Sequence, residues 1–398
     1  MGLFLPKSAL PGLKQYKYGG VDQSLVSRYI LKPFYQRFVL LFPLWLAPNL
    51  ITLLGFAFVV VNTLTILYYN PTFDQECPSW VYASCAIGLF LYQTFDACDG
   101  AQARRTKQSG PLGELFDHCV DACNTTLEVV VFAAVTNMRY SWLVVIAQFA
   151  TALNFYLSTW EEYHTGVLFL SVFSGPVEGI LIVIGVYVIT TFTGPWFWHS
   201  QFFDLLGISH LVEPYVPTSV LEATLNDAYI VFAGVGLAFN IVHATANVHR
   251  ACVKKGKPVL PALTQTIPFF GFFASLFVWI YMSPDVLHGH LVPLLLASGA
   301  IIAYSVGTII TAHVTKQQFP VWNVLQLLPA IGIAGHVIGQ MRGWDVDRLS
   351  LAAVFACLGL SWGIYGCFVG DIITEITTYL DIGCLYIKYP ADLSDKDK

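Results

Sequence analysis

The stretch PNLITLLGFAFVVVNTLTILYY, from Pro48 to Tyr69, contains no Asp, Glu, Lys, Arg or His. At about 1.5 Å per helical residue it matches the roughly 30 Å hydrocarbon core of a bilayer. It therefore reads as a membrane-spanning helix, and the same criterion extends in both directions along the chain. Further apolar runs fall near residues 80–99, 113–135, 141–160, 174–194, 228–247, 263–283, 289–313, 321–341 and 350–378. Upstream, the segment from Tyr29 to Ala47 mixes Lys32 and Arg37 with Phe34, Tyr35, Phe38, Leu40 and Trp45. That mixture predicts a helix lying in the membrane interface. The expected fold is an all-α polytopic membrane helix bundle of about ten transmembrane helices plus an N-terminal interfacial helix.

Composition agrees with this reading. Of 398 residues, 56% are hydrophobic and only 11% are Asp, Glu, Lys or Arg, against about 25% charged in a soluble domain. Mean hydropathy is +0.63. Such a chain cannot clothe a soluble surface of its size in charge. A net charge of -5 argues against nucleic-acid binding. The nine cysteines contain no CxxC pair. Cys85, Cys98, Cys119, Cys123, Cys357 and Cys367 lie in apolar stretches and are expected to be small buried hydrophobes. Lys7, Lys14, Lys17, Arg28, Lys32 and Arg37 interrupt any cleavable signal core, and Pro6 spoils a myristoylation pattern.

Basic residues set the orientation. With ten spans, both termini share a side that collects those six residues together with Arg104, Arg105, Lys107, Arg250, Lys254, Lys255, Lys257, Lys316, Lys388, Lys396 and Lys398. Only Arg139, Arg342 and Arg348 fall opposite, so seventeen of the twenty basic residues mark the cytosolic side by the positive-inside rule. The loop from about Pro195 to Asp227 has no Lys or Arg and is expected in the lumen. No internal repeat interrupts the chain, which reads as one domain over 1–398. Within it, 1–47 is a cytosolic N-terminus with the interfacial helix, 48–247 a six-helix catalytic core, and 248–398 four further helices serving a lipid chamber and dimer contacts.

A carboxylate inside a span costs on the order of 3 kcal/mol at the helix centre, so its presence points to function. Here carboxylates cluster. Asp96 and Asp99, at i and i+3, share a face at the end of the second span. Glu114, Asp117, His118 and Asp121 form one stripe along the third, after a short basic loop. Two antiparallel helices thus aim four aspartates at one spot. Carboxylates at such range require cations between them, and hard oxygen donors suit Mg²⁺, Mn²⁺ or Ca²⁺. Paired metals of this kind serve chemistry on phosphates. Gly100 and Gly113 would let a bulky ligand approach the backbone, and Arg104 would hold phosphate oxygens. Solvated charges at helix ends are the plain alternative for any one residue. Eight fixed identities, Asp96, Asp99, Gly100, Ala103, Arg104, Gly113, Asp117 and Asp121, match by chance on the order of once in 10⁸ at about 5% each.

Those eight residues match the signature of the CDP-alcohol phosphotransferases, and Pro48-Asn49-Leu-Ile-Thr52 resembles that family's first core span. Phe95–Gly100, Gly110–His118, Thr159-Trp160-Glu-Glu-Tyr-His-Thr165 and Gly370-Asp371-Ile-Ile-Thr-Glu375 resemble its eukaryotic choline and ethanolamine branch, most of all the fungal members. The resemblance implies transfer of the phosphoalcohol of CDP-ethanolamine or CDP-choline to diacylglycerol, with release of CMP. It further implies Mg²⁺ or Mn²⁺, two ions, a homodimer, and residence in the endoplasmic reticulum or Golgi. On this basis Asp96, Asp99, Asp117 and Asp121 are the expected metal ligands, with Asn49, Gly100, Ala103, Arg104 and Gly113 around the phosphates and nucleotide.

The proton of the attacking hydroxyl would go to His118, Glu114 or Asp121. His118 assisted by Glu114 is favoured, against a packing role in which His118 holds an aspartate. Glu178, and Glu161 and Glu162 with Trp160 and Tyr163, could face the amine; for Glu161 and Glu162 a solvated helix end is an equal expectation. Asn240, His243, His313, Asp371 and Glu375 read as interhelical hydrogen-bond partners. Two rivals stand beside this: a cation transporter, and a relative that takes CDP-diacylglycerol as donor.

Overall fold

The computed structural model describes residues 2–17, 19–22, 24–170 and 176–390. Residues 174 and 175 of the expected fifth span, and Lys396 and Lys398, lie outside them. Eleven helices, two of them sharing one place, occupy the ten expected places: α2 Pro48–Tyr69, α3 Ser79–Arg105, α4 Pro111–Val135, α5 Trp142–Thr165, α6 Pro176–Thr193, α10 Leu225–Lys254, the pair α11 Val259–Thr264 and α12 Ile267–Met282, α13 Pro284–Val314, α14 Leu328–Arg342 and α15 Val346–Leu380. A short helix α1, Lys32–Phe38, precedes them. The one-turn helices α7 Phe202–Leu205, α8 Ser209–Val212 and α9 Thr218–Leu221 lie in the long loop before α10.

Eight of the ten are long and apolar enough to cross a membrane, so this is a multi-pass membrane protein. The two that fall short are α3, which is diluted by Asp96, Asp99, Arg104 and Arg105, and α6, which is short.

Helix ends follow local chemistry. Pro48, Pro111 and Pro284 open α2, α4 and α13 at the first-turn position where a missing N–H costs nothing. Gly166 and Gly343 close α5 and α14 in the left-handed conformation. Helix α3 runs on past residue 99 to Arg105, so the basic turn before α4 is only Thr106–Gly110, shorter than the loop expected from the sequence. Pro293 inside α13 accompanies a kink at His290, since proline removes one helical hydrogen bond and crowds the preceding turn.

Helix α13 is the axis of the bundle. In its central stretch 83% is buried, against 6% in the peripheral α10. It packs on α4, α5 and α15; α2 and α3 pair with each other, α2 also meets α4, and α3 meets α6. Close approach of α13 to α4 depends on Gly299, where a Cβ would lie 2.3 Å from Thr126 Oγ1. Thr126 is held in turn by Gln148 of α5 at 3.0 Å. Gly299→Val should therefore cost about 1–3 kcal/mol in overpacking and lower the melting temperature of the purified protein by a few degrees. An unchanged melting point would show that α4 and α13 can separate freely.

The loops sort into two ends. At one, Asn70, Asn137, His199 and Asn226 tie the connections after α2, α4 and α6 together. At the other, the N-terminal segment lies across the bundle: Leu5, Leu10 and Leu13 are buried, and the N–H groups of Leu3 and Phe4 donate to Asp371 on α15. Strand β1, Gly20–Asp22, pairs in parallel with β2, Leu168–Leu170. The expected interfacial helix is shorter than its sequence suggests. A helical run from Ser27 to Leu41 ends before Phe42, and residues 42–47 are irregular. It buries Leu31, Tyr35 and Val39 against Cys98 while Tyr29 and Leu40, and Trp45 beyond its end, face outward.

Three smaller expectations are corrected. Cys367 is exposed rather than buried. His243 is exposed and stacks on Phe169 rather than bonding another helix. Asp371 holds the N-terminal backbone instead of a neighbouring span. Asn240 does bond across helices, donating to Asn154 at 2.6 Å.

Candidate active site

The C-terminal half of α3 and the first half of α4 carry the acidic residues, and α2 completes the wall. Carboxylate oxygens of Asp96, Asp99 and Asp117 all lie within 4.8 Å of one another. The Thr52 hydroxyl of α2 donates to Asp99, and the Tyr92 hydroxyl of α3 donates to Asp121. These two bonds fix the outer members of the cluster.

Its inner oxygens behave differently: Asp96 Oδ1 and Asp117 Oδ1 are buried without a hydrogen-bond partner among the described residues. Buried carboxylate oxygens left unpaired are costly. Orphaned hard oxygen donors from three converging carboxylates are what a small divalent cation requires, so the residues present fit such an ion.

The surroundings leave room for a ligand. A Cβ at Gly100 would meet only the Arg104 guanidinium, at 3.5 Å, and one at Gly113 only Asn49 Oδ1, at 3.8 Å. Arg104 is exposed and folds back along α3 over Gly100. Ala103 is half-buried beside it. Asn49 is buried in the first turn of α2, its amide 3.8 Å from Cys384 Sγ.

A second polar group adjoins the first through α4. His118 Nδ1 lies 3.0 Å from the Glu114 carbonyl and therefore carries a proton, and Nε2 lies 3.0 Å from Glu162 Oε2 on α5. Glu114 accepts the Tyr16 hydroxyl from the N-terminal segment, while its Oε1 has no hydrogen-bond partner and lies 3.7 Å from His313 Nε2 on α13. All four side chains, Glu114, His118, Glu162 and His313, are buried. The expected single stripe along α4 is thus split: Asp117 and Asp121 face α3, and Glu114 and His118 face α5 and α13.

A family profile described as CDP-alcohol phosphatidyltransferase matches residues 45–212. The chain is 43% identical to Cholinephosphotransferase 1 of Saccharomyces cerevisiae, covering 99% of this chain and 100% of that protein. It is also 43% identical to Choline/ethanolaminephosphotransferase 1 of the same yeast, over 98% and 99% of the two chains. The chain belongs to the CDP-alcohol phosphatidyltransferase family. Choline/ethanolaminephosphotransferase 2 of Arabidopsis thaliana, 34% identical over 96% of this chain and 98% of that protein, extends the likeness beyond fungi.

In this family member the expected residues do not all converge. Asp96, Asp99 and Asp117 come together as expected, and Asp121 flanks them on Tyr92. Glu178, at the start of α6, accepts the Ser24 hydroxyl and keeps a buried unpaired oxygen; no contact joins it to the aspartates among the described residues.

Glu161 and Glu162 are buried, which corrects the solvated-end reading. Asn247 donates to Glu161 at 2.6 Å, and Glu162 holds His118. Trp160 and Tyr163 donate to the carbonyls of Ala262 and Gln317 and serve packing. Tyr16, Thr52 and Tyr92 were not expected beside these groups, Glu162 was expected at the amine or at a solvated helix end and instead meets His118, and His313 does meet another helix, at Glu114. The one available signal was the pair Glu161-Glu162 at the end of an apolar run, which burial on both faces of α5 explains.

Proposed function

We propose that this protein transfers phosphoethanolamine or phosphocholine from the corresponding CDP-alcohol to diacylglycerol, giving the phospholipid and CMP. The observation that carries this reading is the set of orphaned carboxylate oxygens of Asp96 and Asp117, placed next to a buried His118–Glu162 pair. The family membership and the names of its relatives support the substrate class.

Asp96, Asp99, Asp117 and Asp121 would hold Mg²⁺ or Mn²⁺, two ions in our reading. When bound, the metal supplies positive charge to the pyrophosphate of the donor. Arg104, whose side chain has no hydrogen-bond or ion-pair partner among the described residues and lies over Gly100, would bind phosphate oxygens, and Gly100 and Gly113 leave space for the nucleotide beside Asn49 and Ala103.

The chain's own acid–base chemistry lies on the adjoining face of α4, toward α5. With Nδ1–H committed to the Glu114 carbonyl, only Nε2 of His118 can exchange a proton, and it shares that position with Glu162 Oε2. The pair therefore takes the hydroxyl proton of diacylglycerol as a unit, and Glu162 stabilises the imidazolium that forms. Tyr16 holds the Glu114 carboxylate, so the N-terminal segment closes this side of the site. The hydroxyl then attacks the phosphorus next to the alcohol, and CMP leaves.

The seventeen-to-three distribution of basic residues supports a cytosolic location for this end of the bundle. There a soluble nucleotide and a membrane lipid can meet. A homodimer in the endoplasmic reticulum or Golgi completes the proposal, on the strength of the resemblance.

Removing divalent metal with a chelator should abolish CMP release, and adding Mg²⁺ or Mn²⁺ should restore it. Offering both CDP-alcohols in competition then reads the alcohol preference. Full turnover in the chelated protein would refute the metal-dependent reading.

A further inference from the structure

A second polar pocket opens at the same end of the bundle, on the far side of α4 from the aspartates. It has a volume of about 280 Å³ and is lined by Tyr163 and His164 of α5, Lys255 and Lys257 after α10, and His313 and Lys316 at the end of α13, among others. None of its lining residues is acidic. Among the described residues, Lys255, Lys257 and Lys316 have no carboxylate partner within ion-pair range; Lys255 Nζ donates only to the His164 carbonyl.

Partial desolvation at the pocket rim, and then the neighbouring Lys257 and Lys316, hold the Lys255 ammonium below its ordinary pKa. Three cations that repel one another around a concave surface are stabilised by an anion between them.

Gly166, Gly256 and Lys316 adopt positive φ as the left-handed caps that end α5, α10 and α13, which brings the three loops together at the rim. The volume lies near the lower end of the roughly 300–1,000 Å³ of small-molecule pockets, enough for a phosphate-sized headgroup. Val253 and Leu260, flanking the two lysines of the α10–α11 turn, are exposed and apolar. That puts the pocket at headgroup depth, with acyl chains able to lie outside, the arrangement of basic interhelical pockets that take anionic lipids.

We infer that Lys255, Lys257 and Lys316 form a phosphate-binding pocket, separate from the aspartate site, that takes the headgroup of an anionic phospholipid from the cytosolic leaflet.

The test measures binding to the purified full-length protein in neutral detergent, using short-chain phosphatidate in one arm and inorganic phosphate in the other. Wild type should bind phosphatidate and discriminate against phosphatidylcholine. The triple variant K255Q/K257Q/K316Q should lose on the order of a hundredfold in affinity, roughly fivefold per lysine, and the triple Lys→Arg variant should keep it. All three side chains are exposed, and an unchanged melting temperature would show that the variants fold. Inorganic phosphate binding as tightly as phosphatidate, and lost in the same variant, would keep the phosphate pocket but overturn the lipid assignment. Equal phosphatidate affinity in wild type and the Gln variant would overturn the proposal altogether.

Discussion

Asp117→Asn is expected to reduce turnover at least about 10³-fold, measured as CMP released per mole of purified protein. Removing a single preorganised group aimed at developing charge costs about 10²–10³ in rate, and Asp117 is also expected to hold the metal. Asparagine preserves volume, so the effect isolates the charge. Asp117 lies with Asp96 and Asp99 inside a 4.8 Å cluster and keeps one oxygen buried and unpaired.

Because that crowding of carboxylates is unfavourable without a cation, the variant should melt no lower than wild type when metal is absent. It should also gain less stability than wild type on adding Mn²⁺, since a ligand that binds only the folded state stabilises it. Both readouts matter: loss of turnover together with a lowered metal-free melting point would indicate misfolding in place of lost chemistry. Retention of more than about a tenth of wild-type turnover would contradict the assignment of Asp117.

His118→Ala should lower kcat about 10²–10⁴-fold, the range for a positioned acid–base group, with KM for the CDP-alcohol changing little. The sharper expectation concerns Glu162. Its carboxylate lies 3.0 Å from His118 Nε2 and both are buried, so removing its charge leaves the imidazole without the partner that stabilises its cation. Glu162→Gln should therefore also lower kcat. The double variant should be no worse than His118→Ala alone, since residues that act as a unit are non-additive. Additive losses would separate the two roles, and a near-normal Glu162→Gln would make Glu162 a packing residue.

The bundle and the aspartate cluster were legible in the chain because both depend on local pattern. Apolar runs such as 48–69 mark the helices, and the i, i+3 spacing of Asp96 and Asp99 places them on one face whatever the rest of the fold does. What lay beyond reach was every partner distant in sequence. Glu162 meets His118 across 44 residues and Tyr16 meets Glu114 across 98, and no periodicity in one chain reports such pairs.

The stripe on α4 was misjudged for a related reason. An arc that wide touches α3 on one edge and α5 with α13 on the other, and the division depends on how α4 sits among them. A solvated helix end was an equal expectation for Glu161 and Glu162 because their burial comes from α4, α10 and α13, all distant in sequence. The shorter interfacial helix reflects the irregular backbone of residues 42–47, which leads into Pro48.

The most direct measurement follows CMP and phospholipid together when purified protein is given diacylglycerol, Mn²⁺ and either CDP-ethanolamine or CDP-choline. The account predicts equal amounts of CMP and the matching phospholipid, with CMP release dependent on diacylglycerol. CMP formed only from CDP-diacylglycerol and a free alcohol, or none from either CDP-alcohol, would contradict it.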